Sequence, residues 1–288
     1  MKVTNIEIHP DFTPDVIPSV AFVDLSFKDP KGSNPYNVID VTGLDADDIA
    51  ASMYREFGLA KIYSLALPKR EVAIQIGLNP NFANNQSYSD LRDNLYKIIT
   101  SRTGQVQLHF KNGTTTTAGL FGVVSKFDST HFERTQMVTI IIQCTEPLLK
   151  QLTRETVSVS GPPGTGTYPS QTIITDNKST APHGFKMQLH FAAAVPSLSL
   201  QDFNYNFYYF TAIPVGGFLT NDVLVFSSEV GDKTIYISRG ANTIYLADVI
   251  QTGSTWPLLY PGDNGFAFTY ANLMRWDSFS HIPTYWGI

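Results

Sequence analysis

The chain has 288 residues, a formal net charge of −5, 43% hydrophobic and 12% aromatic residues, and only 16% charged residues. That length allows one large or two ordinary domains, and the apolar content supplies a real core, which excludes a disordered chain. Lys and Arg are scattered rather than clustered, so sequence-specific nucleic-acid binding is not expected. A charge content below the roughly 25% of average soluble domains suits either a surface covered by neighbouring subunits or a neutral, hydroxyl-rich β exterior.

The N-terminus carries no apolar run after its lysine, so no signal peptide is expected. The long uncharged stretch Phe203 to Asn221 is broken by Pro214, Gly216 and Gly217 and reads as strands and a turn, not a membrane span. The segment 28–60 carries Pro30, Gly32, Pro35 and Gly43 and is expected to be a long irregular loop with a function of its own. Its Asp45, Asp47 and Asp48 make either a cation site or a solvated acidic turn; they lack the alternation and closing Glu of an EF-hand loop.

Strand patterning then dominates. Val72, Ile74 and Ile76 alternate with Glu71, Ala73 and Gln75, and Val106, Leu108 and Phe110 alternate with Gln105, Gln107 and His109. Asn112-Gly113 predicts a tight turn with both residues at positive φ, pairing 105–111 with 114–126. Between these strands, Ser87 with Asp90 three places on predicts a helix N-terminus, and Leu91, Leu95, Ile98 and Ile99 fall on one helical face. Val138, Ile140, Ile142 and Cys144 line one face of the next strand. Cys144, the only cysteine, is expected to be a buried hydrophobe rather than a nucleophile or disulfide partner.

A domain boundary is expected near residue 150. Beyond it, the Gly161–Thr167 run lacks the Gly-Lys-Ser/Thr ending of a phosphate loop and reads as a linker or surface loop. Phe185, Met187, Leu189 and Phe191 alternate with polar residues. Short strands at 223–226, 234–237 and 243–246 form a meander, and Gly265–Tyr270 alternates again. The second half is therefore expected to be a β-sandwich.

Chemistry is sparse. The six histidines His9, His109, His131, His183, His190 and His281 show no local ligand pair, and His109 and His190 are expected to face solvent or an interface. There is no HExxH, no GxSxG and no credible pair of carboxylates for glycoside hydrolysis. The run Phe203–Phe210 admits two readings: alternate members in a core, or Tyr208 and Tyr209 stacking on sugar rings.

Two stretches carry a resemblance. From Arg70 to Pro147 run the strand Arg-Glu-Val-Ala-Ile-Gln-Ile-Gly, the helix with Leu91-Arg92-Asp93-Asn94-Leu95, the hairpin with Ala118-Gly119-Leu120-Phe121-Gly122-Val123-Val124, and a closing strand into Glu146-Pro147. Near the C-terminus stand Trp256-Pro257-Leu258-Leu259-Tyr260-Pro261-Gly262-Asp263-Asn264, preceded by the turn Gly217–Asp222. Their order and spacing resemble the distal tail proteins of long-tailed, siphovirus-type bacteriophages, from residue 59 to the end.

The resemblance implies a mainly β chain. Residues 1–150 would be a tail-tube-like β-sandwich with one α-helix that forms rings, and 151–288 an outward-facing galectin-like β-sandwich. It implies a structural, non-enzymatic subunit of the tail tip or baseplate without a cofactor or metal. That subunit is a homohexameric ring that joins the tail tube to the tip complex, lines the DNA channel and meets tail-fibre or receptor-binding proteins. The protein would be a virion component assembled in the bacterial cytoplasm, with no membrane insertion. Segment 28–60 would reach a neighbouring ring, and Trp256, Pro257, Pro261, Gly262 and Asn264 would be structural motif residues. The alternatives are a carbohydrate-binding module for host attachment and a tail-associated hydrolase.

Overall fold

The computed structural model describes residues 3–10, 23–26, 34–44, 50–56, 59–66, 70–99, 105–113, 115–130, 136–157, 172–176, 178–202, 207–212, 214–249, 254–270 and 273–287. The chain forms two compact units, Met1–Leu152 with Tyr285–Ile288, and Thr153–Thr284. Asp45, Asp47, Asp48, His131 and the Gly161–Thr167 run lie outside the described residues.

The first unit contains β1 (Asn5–Pro10), β2 (Val23–Ser26), β3 (Tyr36–Thr42), β4 (Ala50–Glu56), β5 (Leu59–Ala66), β6 (Glu71–Leu78), α1 (Tyr88–Ile99), β7 (Gln105–Asn112), β8 (Thr115–Ser129), β9 (Met137–Cys144) and β10 (Leu149–Lys150). Strands pair in the order β10-β8-β7-β1-β2-β3-β6-β9, and β8 also pairs with β9. That second pairing closes the sheet into a barrel.

One strand performs the closure. The first part of β8 pairs with β7, from Thr115↔Asn112 to Val123↔Gln105. Its last part pairs with β9, from Gly122↔Cys144 to Ser129↔Val138, with a bulge between Val124 and Lys126. Bulges bend a strand, which is what a sheet needs to turn a corner. Gly122 has a partner on both sides, and a Cβ there would lie 2.5 Å from Ile142 Cγ2 and 2.7 Å from the Gln143 carbonyl oxygen. Only glycine fits the crossing.

The core is the alternating set predicted from sequence: Val72, Ile74, Ile76, Leu108, Phe110, Val138, Ile140, Ile142 and Cys144 are all buried. Helix α1 begins as expected. The Ser87 backbone N–H donates to Asp90 Oδ2 at 2.8 Å and the Asp90 N–H donates to Ser87 Oγ at 3.2 Å, a reciprocal cap. Leu91, Leu95 and Ile99 are buried, while the Ile98 side chain is outside the described set.

Two expectations about the elements of this unit fail. The segment 28–60 is not an irregular loop: it holds β3 and β4. A bulge between Val38 and Asp40 leaves Ile39 52% exposed, so the apolar period changes phase mid-strand and hides β3 from a period-2 search. The β7–β8 turn also sits later than Asn112-Gly113 predicted. Asn112 pairs with Thr115 as a strand residue, and Gly113 takes the positive φ of +62°.

The second unit contains β11 (Glu155–Thr156), β12 (Thr172–Asp176), β13 (Phe185–Phe191), β14 (Leu198–Asp202), β15 (Phe207–Ala212), β16 (Val223–Glu229), β17 (Asp232–Arg239), β18 (Asn242–Tyr245), β19 (Gly262–Phe268) and β20 (Met274–His281). Six strands pair as β11-β20-β13-β16-β17-β18 and four as β12-β19-β14-β15. The two sheets share one core. Phe185 and Phe279 of the first meet Phe266 of the second, with ring centroids 5.3 and 6.3 Å apart. This is the expected sandwich, and β16–β18 are the expected meander. A final strand, β21 (Thr284–Tyr285), joins β10 in the sheet of the first unit.

Candidate functional site

Two buried clusters of ionisable side chains stand out, and neither is a local motif. The first is built on the second face of β1 and β7. Ile6 and Ile8 take one face of β1, which leaves Glu7 and His9 on the other, beside His109 and Lys111 across the β1–β7 ladder. His9 Nε2 lies 3.0 Å from Glu7 Oε2, His109 Nδ1 lies 3.8 Å from the same oxygen, and Lys111 Nζ donates to Glu7 Oε1 at 2.5 Å. The two imidazoles stack with centroids 4.0 Å apart.

Burial opposes ionisation of Glu7, but hydrogen bonds from Lys111 and His9 outweigh it and hold the carboxyl below its ordinary value. Burial, then the charges of His9 and Lys111, push the His109 imidazole down to about 4 against the pull of Glu7. His109 is 2% exposed. The expectation that it faces solvent or an interface is therefore wrong for this chain. The polar face of β7 is itself covered, and alternation reports polarity rather than exposure.

The second cluster lies in the second unit. Asp176 ends β12, His183 sits in the connection to β13, and His281 ends β20. His183 Nε2 lies 2.9 Å from His281 Nδ1 and 3.6 Å from Asp176 Oδ2. All three residues are buried. Burial raises the Asp176 pKa, but bonds from Ser179 and Lys178 and the neighbouring His183 bring it below the ordinary value. Burial and His183 lower that of His281. His190, by contrast, is half-buried with Nδ1 4.0 Å from Asp277.

The motif residues near the C-terminus build a turn. Gly262 takes φ +92°, and Asn264 sits buried beneath it. Asn264 Oδ1 accepts from the Tyr260 N–H at 2.7 Å, and Nδ2 donates to the carbonyls of Tyr260 at 2.7 Å and Gly262 at 2.9 Å. Trp256 packs on Phe226 with ring centroids 5.4 Å apart, and Pro257 is buried. The turn Gly217–Asp222 is pinned by Arg239, whose Nε and Nη2 donate to the two Asp222 oxygens at 2.9 and 2.7 Å. Tyr208 and Tyr209 lie in β15, at the edge of the four-stranded sheet, with Tyr208 paired to Gln201 at a bulge. Their side chains are outside the described set.

The fold has solved counterparts. The SPP1 Dit protein, described as a paradigm of the hub adsorption apparatus in Gram-positive infecting phages, superposes with a TM-score of 0.59 at 15% identity, over 87% of this chain and 93% of that one. The chain has the fold of a siphovirus-type phage distal tail protein. Chains of the phage P2 baseplate in its activated conformation align at TM-scores of 0.43 and 0.40 and 10% identity, over 98% of this chain and 97% of those. No protein-family model and no curated protein matches.

Within this distal-tail fold the sequence motifs mark turns and strand crossings, where Gly122, Gly262 and Asn264 do backbone work. The buried histidine clusters escaped the sequence reading because each joins residues far apart in the chain. The separations are 102 residues from Glu7 to His109 and 98 from His183 to His281. The available local signal was Glu7-x-His9: two ionisable residues alternating with Ile6 and Ile8, which places both on one face of a strand.

Proposed function

We propose that this chain is a structural subunit of a phage tail tip or baseplate. In this reading it forms a hexameric ring that joins the tail tube to the tip complex and lines the DNA channel. The observation that supports it best is the likeness to SPP1 Dit, which spans both units. A closed barrel is compatible with it: such a scaffold hides its own edges and meets neighbours through side chains. Partners on this reading are other copies of the chain, the tube protein above, and hub or receptor-binding proteins below. No helix among the described residues is long and apolar enough to cross a membrane.

Light scattering with negative-stain imaging of the purified protein tests the ring. Six copies of a 31.9 kDa chain weigh about 191 kDa, and closed head-to-tail contacts give a six-fold particle with an open lumen. A monomer that fails to form rings on tail tubes would sink the reading. The part of segment 28–60 suited to reach a neighbouring ring is the hairpin β4–β5, which pairs with no other strand among the described residues. Removing 50–66 should leave single rings intact and block their stacking, whereas removing 32–48 would excise β3 from the barrel.

Carbohydrate binding by the second unit remains the alternative proposal, supported by the placement of Tyr208 and Tyr209 on an edge strand. A glycan array decides it: binding lost in Tyr208→Ala or Tyr209→Ala favours it, and a blank array rejects it.

A further inference from the structure

The Asp176, His183 and His281 cluster contains three features that protein packing alone does not explain. The first is an oriented carboxylate with an idle oxygen. Asp176 Oδ1 accepts from the backbone N–H of Lys178 at 3.1 Å and of Ser179 at 3.0 Å, which fixes the rotation of the carboxylate. Oδ2 is buried and, among the described residues, accepts no hydrogen bond. A buried carboxylate oxygen left unsatisfied is costly, so its retention calls for a partner.

The second is the tautomer of His183. Its Nδ1 lies 3.2 Å from the Ala181 carbonyl oxygen. A carbonyl only accepts, so Nδ1 carries the proton, and a neutral His183 presents the lone pair of Nε2 to the cluster. That is the arrangement in which a metal-bound imidazole is held: one ring nitrogen donates to a backbone carbonyl while the other faces the ion. The same carbonyl also accepts from Thr284 Oγ1 at 3.1 Å, which fixes its direction.

The third is spacing. One ligand atom from each of Asp176, His183 and His281 lies within 4.8 Å of the others, and His183 Nε2 is 2.9 Å from His281 Nδ1 and 3.6 Å from Asp176 Oδ2. Ligands about 2.0–2.1 Å from a tetrahedral ion stand roughly 3.3 Å apart. The two separations from His183 Nε2 are each within a few tenths of an ångström of that value.

We propose that Asp176, His183 and His281 bind one borderline divalent transition-metal ion, with zinc as its probe. Two imidazoles and one carboxylate suit zinc and its neighbours in the first row rather than calcium or magnesium, which prefer all-oxygen shells. On binding, the neutral His281 ring changes tautomer: the proton that Nδ1 donates to His183 Nε2 is released and Nε2 takes one up from solvent, so that the lone pairs of both His183 Nε2 and His281 Nδ1 face the ion with no net change in protons. The ion ties the end of β12, the connection before β13 and the end of β20 into one cross-link within the second unit. The site stands independently of the ring reading, because all its atoms belong to that unit.

The Glu7, His9 and His109 cluster is the internal control. Its carboxylate already holds the Lys111 ammonium at 2.5 Å, so a divalent ion would have to displace a resident positive charge.

The test uses the full chain, stripped with chelator and titrated with zinc, with bound metal measured by elemental analysis. The expected result is one ion per chain and a rise in melting temperature of about 5 °C or more at saturating zinc. His281→Gln and Asp176→Asn should each weaken binding about 100-fold or more. His109→Gln should leave the stoichiometry at one. Cobalt in place of zinc gives a visible absorption band that reports the ligands directly, and the metal-free melting transition of each variant distinguishes one that folds but binds nothing from one that fails to fold. Zinc content below one-tenth per chain, with no shift in melting temperature, overturns the proposal. So does binding that survives His281→Gln and vanishes in His109→Gln.

Discussion

At the scale of single residues, the buried histidine on β7 sets an acid limit on this protein. His109 ionises in the folded chain only at about 4, against an ordinary value of 6.5. Between those values the unfolded chain binds the extra proton, so stability rises with pH there and is lost as pH falls from 6.5 toward 4. Glu7 works in the same direction lower down. Its folded carboxyl titrates below 4.5, so its contribution is present above that value and fades as pH drops through the folded one. Melting curves from pH 7.5 to 4 should therefore show falling stability, with a shallower slope between 6.5 and 4 in His109→Gln. An unchanged slope would assign the effect to another group. Asn264 makes a second residue-scale case. Asn264→Ala strips the turn at Gly262 of three short hydrogen bonds and should cost about 1–3 kcal/mol in denaturant unfolding. Asn264→Asp should cost more, because a carboxylate would then face the carbonyls of Tyr260 and Gly262. The sequence displayed Asn264 because a polar residue after Pro-Gly has an obvious turn role. It did not display the histidine clusters, because their chemistry depends on a register between strands a hundred residues apart.

At the scale of elements, legibility followed regularity. Strands β6, β7, β9 and β13 were readable because their alternation runs unbroken, and α1 because its cap and apolar face agree. β3 was not, because the bulge at Ile39 shifts its phase. The slipped β7–β8 turn has a similar origin. A bulge between Phe110 and Lys111 offsets the ladder by one residue and moves the turn past Asn112. Closure of the barrel was also out of reach, since β8 reads as one 15-residue strand whether it pairs on one side or two. Gly122 was the clue. Gly122→Ala places a methyl 2.7 Å from the Gln143 carbonyl oxygen, where backbone cannot give way cheaply. We expect it to cost about 1–3 kcal/mol and to raise amide exchange along β9, where the β8 ladder begins. Gly113→Ala meets no neighbouring atom and is disfavoured only by its φ of +62°. It should therefore leave exchange in β9 unchanged.

At the scale of the whole molecule, the first unit is discontinuous in sequence. Its residues 285–288 follow the entire second unit. The return is anchored by Arg70, which precedes β6, is 2% exposed, and donates through Nη2 to the Trp286 carbonyl at 2.5 Å and through Nη1 to that of Leu44 at 3.4 Å. A buried guanidinium is tolerated only where acceptors meet its fork of donors, and here one acceptor comes from the far end of the chain. A fragment that ends at residue 150 therefore lacks part of its own core chemistry. Deleting residues 285–288 should destabilise the first unit by several kcal/mol, on the scale of breaking a buried charged hydrogen bond, while leaving the second unit's melting unchanged. Arg70→Met in the truncated chain should recover part of that loss, because it removes the charge that the truncation strands. Differential scanning calorimetry with amide exchange separates the two units. If the truncation instead lowers only the second transition, Arg70 does not depend on the C-terminus, and the first unit is complete without it.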